Sequence, residues 1–239
     1  MKGKLFGKNC LVTGATRGIG KSIVKRLLES DAVVVASASN NEGLIALQAE
    51  FSSFSQNLIT IRADLSLTSD VDMLCKSVTT AVGNIDILIN NAGILHLEDL
   101  HNCSEDLLRK SFEVNFFSAF ALSRYFSESM IKNSYGIIIN MCSSSSYTGG
   151  GAPQHSIYAS TKHALLGLTR ALDEELRHHN IRVGSVSPAG VSTDMMSGRG
   201  DLDHTSFMTA DEVADAVMFM LETDGQGIVY EMRMWRKSR

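Results

Sequence analysis

Asn9-Cys10-Leu11-Val12-Thr13-Gly14-Ala15-Thr16-Arg17-Gly18-Ile19-Gly20 is the stretch whose reading decides the fold. Asn9–Thr13 is short, apolar and β-prone, and reads as a strand. From Gly18 to Ser30 the residues Ile19, Ile23, Val24, Leu27 and Leu28 repeat at helical spacing and share one face. Three glycines lie between, spaced G-x-x-x-G-x-G and not as the commoner G-x-G-x-x-G. Glycine allows a tight turn and lets backbone approach a pyrophosphate closely. The helix that follows offers its N-terminal N–H groups and dipole to an anion. A strand, a glycine loop and a helix in this order point to dinucleotide binding; a glycine-rich turn that holds nothing is the alternative.

Working outward, the same alternation continues to the end. Strands are expected at Ala32–Ser37, Leu58–Arg62, Ile85–Ile89, Gly136–Met141, Arg182–Val186 and Gly227–Met234. Helices are expected at Glu42–Phe51, Leu67–Val82, Ser104–Lys132 (long, with room for a bend), Tyr158–His179 and Thr209–Leu221. Thr68, Ser69 and Asp70 suit one helix start, and Ser104 another. The strands run as unbroken Val/Ile/Leu, the mark of a parallel sheet covered on both faces. The expectation is a single α/β domain over 1–239, a Rossmann-type doubly wound sheet of about seven strands.

The bulk properties exclude other classes. The 239 residues are 44% hydrophobic and 20% charged, with net charge −4, and carry no basic run to suit nucleic acid or an anionic membrane. No stretch reaches the ~20 apolar residues of a membrane span. The apolar run after Met1-Lys2-Gly3-Lys4 is too short for a signal peptide. Cys10, Cys75, Cys103 and Cys142 are scattered without metal-ligand spacing, so no metal is expected. They read as reduced thiols, which suits a cytoplasmic location.

Tyr158-Ala159-Ser160-Thr161-Lys162 lies in an expected helix, so the phenol and the ammonium share one face. Lowering a phenol pKa of ~10 by about three units takes ~4 kcal/mol, and one opposite charge at ~4 Å in a shielded site supplies that. The pair can serve as a proton donor and acceptor, or be an ordinary surface pair. Asn115 sits in the apolar run Val114-Asn115-Phe116-Phe117, where a buried amide needs partners.

The glycine loop, Asn90-Asn91-Ala92-Gly93 after the fourth strand, and Tyr158-x-x-x-Lys162 together resemble the short-chain dehydrogenase/reductase family. The resemblance covers essentially the whole chain and is strongest to the 3-oxoacyl-(acyl-carrier-protein) reductase-like members. It implies an oxidoreductase that moves hydride between a nicotinamide cofactor and a carbonyl or alcohol. Gly14, Thr16, Arg17, Gly18, Ile19 and Gly20 would hold the cofactor. Asp64, beside Leu65, would meet the adenine amino group. Asn91, Ala92 and Gly93 would line the adenosine side and brace the sheet. Pro188, Gly190, Val191 and Thr193 would fix the nicotinamide carboxamide, although Ala189 is an extra residue in that run. Tyr158 would deliver the proton. Lys162 would lower its pKa and bond the nicotinamide ribose, and Asn115 would hold a helix kink on the proton path.

An acid after the second strand selects NAD by bonding the ribose 2′-OH. Here that strand ends Ala36-Ser37-Ala38-Ser39-Asn40-Asn41 with no acid before Glu42. By the resemblance, the basic position of Arg17 can instead meet a 2′-phosphate, to which Ser37, Ser39 and Asn40 can donate hydrogen bonds, so NADP is expected over NAD. The oxyanion serine has two candidates. Strand register selects Ser143, whereas the family's usual separation from the tyrosine selects Ser145. Ser143 is preferred, with a short insertion in the Gly149–Pro153 loop.

A short polar lid is expected over Met195–Met208, with His96, Leu97, His155 and Met195 about the substrate, a small carbonyl compound or an acyl thioester. The C-terminal run from Gly227 to Trp235 ends in a basic tail and lacks the family's usual glycine turn. The resemblance implies that the two long helices, Ser104–Lys132 and Tyr158–His179, pair across a two-fold axis, giving a dimer or homotetramer. A non-catalytic NADP sensor on the same fold, and an alcohol, sugar or steroid dehydrogenase running oxidatively, are the competing readings.

Overall fold

The computed structural model describes residues 3–147, 153–196, 207–223, 225 and 227–236. Seven parallel strands form one sheet: β1 (Asn9–Thr13), β2 (Val33–Ala38), β3 (Leu58–Arg62), β4 (Ile87–Asn90), β5 (Gly136–Met141), β6 (Ile181–Pro188) and β7 (Glu231–Met234), in the order β3-β2-β1-β4-β5-β6-β7. The helices are α1 (Gly18–Glu29), α2 (Asn41–Glu50), α3 (Thr68–Val82), α4 (Glu105–Phe112), α5 (Ser118–Asn133), α6 (Ser156–Leu176) and α7 (Ala210–Glu222).

Successive strand residues point to opposite faces, and both faces are covered. Cys10 and Val12 pack with Ile23 and Leu27 of α1 and Val213 and Val217 of α7. Leu11, between them, packs with Leu74 of α3 and Leu122 and Phe126 of α5. Double coverage is why the strands read as unbroken apolar runs. The chain leaves β1 toward β3 on one side and returns at β4 to build the other. The crevice for a ligand opens where this direction reverses, at the carboxyl ends of β1 and β4.

Several expected boundaries move. The long helix from Ser104 divides, because Glu113–Phe117 makes a π-helical turn between α4 and α5. Ser104 caps as expected, its Oγ accepting from Leu107 N at 3.1 Å. Asp70 does not cap α3. Its buried carboxylate accepts from Asp64 N at 3.0 Å and Arg62 Nη1 at 3.1 Å, tying the helix to the end of β3. The last strand is confined to Glu231–Met234, and the preceding Tyr230 enters only as an acceptor for Ser185 N.

Asn90 and Asn140 sit opposite each other in register on β4 and β5, wholly inside the apolar layer. Asn90 Nδ2 donates to Asn140 Oδ1 (2.8 Å) and Ser123 Oγ (3.2 Å), and Asn140 Nδ2 donates to Thr169 Oγ1 (2.9 Å). The chain of bonds runs from α5 through two strands to α6. A one-residue slip of β5 would strand both amides, each at a cost of about 1–3 kcal/mol.

Cys10, Cys75 and Cys142 are buried free thiols, and Cys103 is partly exposed and also free. Burial pushes Cys75 and Cys142 up to about 11, so both stay protonated at neutral pH. Among the described residues no helix is long and apolar enough to cross a membrane, and no group of His, Cys, Asp and Glu could hold a metal ion.

Candidate active site

A cavity of about 570 Å³ opens over the carboxyl ends of the strands. The glycine loop forms its floor. Gly14 has φ +63°, and a Cβ there would sit 2.9 Å from Ala92 Cα; one on Gly20 would sit 2.1 Å from the Gly14 carbonyl oxygen. The loop is held from the next strand. Asn91 Nδ2 donates to Thr13 O (2.8 Å) and Gly14 O (3.1 Å), while Asn91 N and Ala92 N donate to Thr13 Oγ1 (3.1 and 3.0 Å). These four bonds tie the segment after β4 to the end of β1 and to the glycine loop.

Thr16, Arg17, Gly18, Ile19, Ser37, Ser39, Asn40, Asp64, Leu65, Ala92 and Gly93 also line the cavity. Ser37 Oγ is buried at the end of β2 and has no hydrogen-bond partner among the described residues. A buried hydroxyl without a partner costs free energy unless a ligand supplies one. Together with the glycine floor, it fits these residues to a bound dinucleotide. Asp64 Oδ1 accepts from Ser66 Oγ (2.7 Å) and Ser66 N (3.0 Å), bonds that hold its carboxyl below the usual range and keep it an acceptor. Asn40 has a second duty: its Oδ1 accepts from Gly43 N and caps α2, so only its amide nitrogen can turn to a ligand. Arg17 Nη1 lies 3.6 Å from Asp194 Oδ2 in an exposed pair at the mouth.

At the other end stand Ser143, Ser145, Tyr158 and Lys162, with Pro188 at the end of β6 and Gly190, Val191 and Thr193 just beyond it also lining the cavity. Ser143 caps the short turn Ser144–Ser146. Its Oγ accepts from Ser145 N at 3.1 Å, and the hydroxyl lies close enough to the Tyr158 phenol to pull its pKa downward. Both candidate serines line the cavity, and Ser143 is the one whose hydroxyl acts on the tyrosine's pKa.

Lys162 Nζ donates to Met141 O at 2.7 Å and lies 5.8 Å from the Tyr158 ring centroid. Burial raises the Tyr158 pKa above its ordinary value, with the nearby Ser143 hydroxyl pulling the other way, and burial lowers that of Lys162. This differs from the expectation of a lysine-lowered phenol. Both groups lose solvation here, and the ammonium turns to a backbone carbonyl.

Asn115 lies beneath the cavity in the π turn. Its Oδ1 accepts from Ile94 N (2.8 Å), and its Nδ2 donates to Ile94 O (2.9 Å) and Thr161 Oγ1 (3.0 Å). Thr161 Oγ1 donates in turn to Tyr158 O at 2.8 Å. The amide is satisfied and also links the loop after β4 to the tyrosine's helix.

A family model described as short chain dehydrogenase matches residues 8–202. The chain belongs to the short-chain dehydrogenase family. It is similar to a farnesol dehydrogenase of Aedes aegypti, 31% identical over 231 residues, covering 95% of this chain and 94% of that protein. It is equally similar, at 31% over 236 residues and 95% of both chains, to a 3-oxoacyl-[acyl-carrier-protein] reductase of Vibrio cholerae. Among solved structures, a metagenomic short-chain oxidoreductase in complex with NADP superposes with a TM-score of 0.83, 29% identity and coverage of 97% of this chain and 99% of that one.

In this oxidoreductase the substrate side holds residues the sequence reading did not find. Ile94, Leu95, Val114 and Ser144 line the cavity, whereas His96 and Leu97, expected there, do not; His155 and Met195 do. Lys110 of α4 lines it near Asp64, and no local motif marks it. The expected lid falls largely in 197–206, the serine-loop insertion in 149–152 and the end of the basic tail in 237–239, all outside the described residues.

Proposed function

We propose that this protein is an NADP-dependent reductase of ketones, with 3-oxoacyl thioesters within its range, and that Tyr158 is the proton donor. The observation that carries the reading is that Ser143, Tyr158 and buried Lys162 meet at one wall of the cavity, with the Ser143 hydroxyl acting on the Tyr158 phenol. The bound cofactor supplies the hydride. Ser143 Oγ, already accepting from Ser145 N, directs its proton to the carbonyl oxygen where negative charge develops. Tyr158 gives up its proton to that oxygen. A phenol whose pKa is raised by burial holds its proton through neutral pH, as a donor must. Lys162 keeps two donors beyond the one spent on Met141 O, enough for a ribose diol.

Arg17, unpartnered Ser37 and the missing acid after β2 support NADP over NAD. The exposed Arg17–Asp194 pair is worth at most about 1 kcal/mol, which a phosphate dianion readily displaces. The test is NADPH and NADH consumption against a panel of ketones, quinones and 3-oxoacyl thioesters. NADPH turnover exceeds NADH turnover by at least about tenfold, and Arg17→Ala removes most of that preference. Equal turnover with NADH overturns the cofactor assignment, and no NADPH oxidation across the panel overturns the reductase reading.

Two separate apolar patches support a homotetramer. Leu108, Phe117, Phe120 and Tyr125 are exposed along α4, the π turn and α5; Phe219 is exposed on α7, and Ile228, Tyr230 and Trp235 on either side of β7. Two self-complementary faces build a D2 assembly. A light-scattering mass of one chain refutes it.

A further inference from the structure

Tyr147 ends the serine turn that begins at Ser143. Its hydroxyl donates to Glu231 Oε2 of β7 at 3.2 Å and lies 3.4 Å from Ser187 Oγ of β6. Arg170, from α6, holds the same carboxylate as a fork: Nε donates to Oε1 at 2.5 Å and Nη2 to Oε2 at 3.0 Å. Arg233 lays its guanidinium 3.4 Å from the centroid of the Tyr147 ring. The Glu231 side chain is 13% exposed, and the Arg170 bond holds its carboxyl below the usual range, so it stays charged at neutral pH. The residues gathered about Tyr147 thus come from the C-terminal run that departs from the family pattern, from β6 and from α6, which also bears Tyr158.

The side-chain bonds of the turn do not by themselves distinguish one serine from the next. Four consecutive serines, Ser143–Ser146, offer interchangeable hydroxyls; backbone bonds from Ser146 N to Ser143 O (2.9 Å) and Tyr147 N to Ser144 O (3.3 Å) close the turn, while its side-chain bonds, Ser145 N to Ser143 Oγ (3.1 Å) and Ser143 N to Ser146 Oγ (3.3 Å), are of a kind that neighbouring serines can exchange. A bidentate Arg–carboxylate fork has fixed geometry and does not slide. We propose that Arg170, Glu231 and Tyr147 form a positioning device that fixes the register of the serine turn, so that Ser143 and not a neighbouring serine meets the Tyr158 hydroxyl. The C-terminal strand is thereby part of the active site without touching the substrate. This rests on Ser143 being the oxyanion donor.

The test uses Glu231→Gln and Tyr147→Phe, each alone and each combined with Ser143→Ala, in the full chain. NADPH affinity is read by fluorescence titration and kcat by single turnover on the best ketone of the panel. Expected are a loss of kcat of about 10- to 100-fold for either single variant, as for a misplaced catalytic group, and NADPH affinity unchanged within about twofold. In the Ser143→Ala background neither variant costs anything further. Tyr147→Phe keeps the ring under Arg233, so it folds even where Glu231→Gln is marginal. Equal fold-losses in both backgrounds, or full kcat in both single variants, overturn the inference. Full kcat in Ser143→Ala alone instead overturns the assignment of Ser143.

Discussion

Replacing Tyr158 with phenylalanine lowers kcat by about a thousandfold, some ~4 kcal/mol of transition-state stabilisation, and leaves NADPH affinity within about twofold. The ring keeps its place: it meets His155 edge-on at 6.3 Å, and the backbone oxygen of residue 158 still accepts from Thr161. Only the proton is lost, and Ser143 cannot replace it, because a serine hydroxyl is too weak an acid to transfer one. The pH dependence follows from the direction of the shift. Burial raises the phenol's pKa, so reduction stays level through neutral pH and falls only in alkali, where the donor deprotonates. Alcohol oxidation needs the phenolate and rises over the same alkaline range. Single-turnover kinetics and a pH profile check both; substantial residual kcat in the phenylalanine variant means that another group delivers the proton.

Gly20→Ala should weaken NADPH binding by about a hundredfold, ~2.7 kcal/mol, and destabilise the free protein by about 1–3 kcal/mol through overpacking. The new methyl would lie 2.1 Å from Gly14 O and 2.5 Å from Asn91 Nδ2. Neither can yield cheaply: the first is backbone, and the second is the amide that ties the loop to β1 through Thr13 O. To admit the methyl the loop must rise, and its N–H groups then miss the phosphates. Fluorescence titration and urea unfolding read the two effects separately. An alanine variant that binds NADPH like the parent refutes this account of the loop.

Much of this was legible because local rules and tertiary demands agree. Val33–Val35 and Ile137–Ile139 are continuous apolar runs since both sheet faces are covered, and Gly14 and Gly20 stand where a Cβ has no room. Tyr158 and Lys162 share a helix, so spacing alone places them. What escaped depends on contacts distant in sequence or on geometry without a periodic signal. Tyr147 and Glu231 are 84 residues apart, and nothing local pairs them. Asn40 looked like a ligand donor and is first a helix cap. The target of Lys162, Met141 O, is a backbone atom that every residue type presents alike. The choice between Ser143 and Ser145 was a question of register, which a run of identical residues conceals.

The π turn at Glu113–Phe117 has a consequence for phase. It holds one residue more than an α-helical turn requires. Each α-helical residue advances the azimuth by about 100°, so everything downstream is rotated by about that angle relative to an uninterrupted helix. Asn115 can therefore point at Ile94 and Thr161, while Leu122, Phe126 and Met130 still face the sheet. Deleting one residue there would put the two halves in phase with each other and out of phase with one of their two targets. The surplus residue lets a single rod answer to two neighbours that lie in different directions.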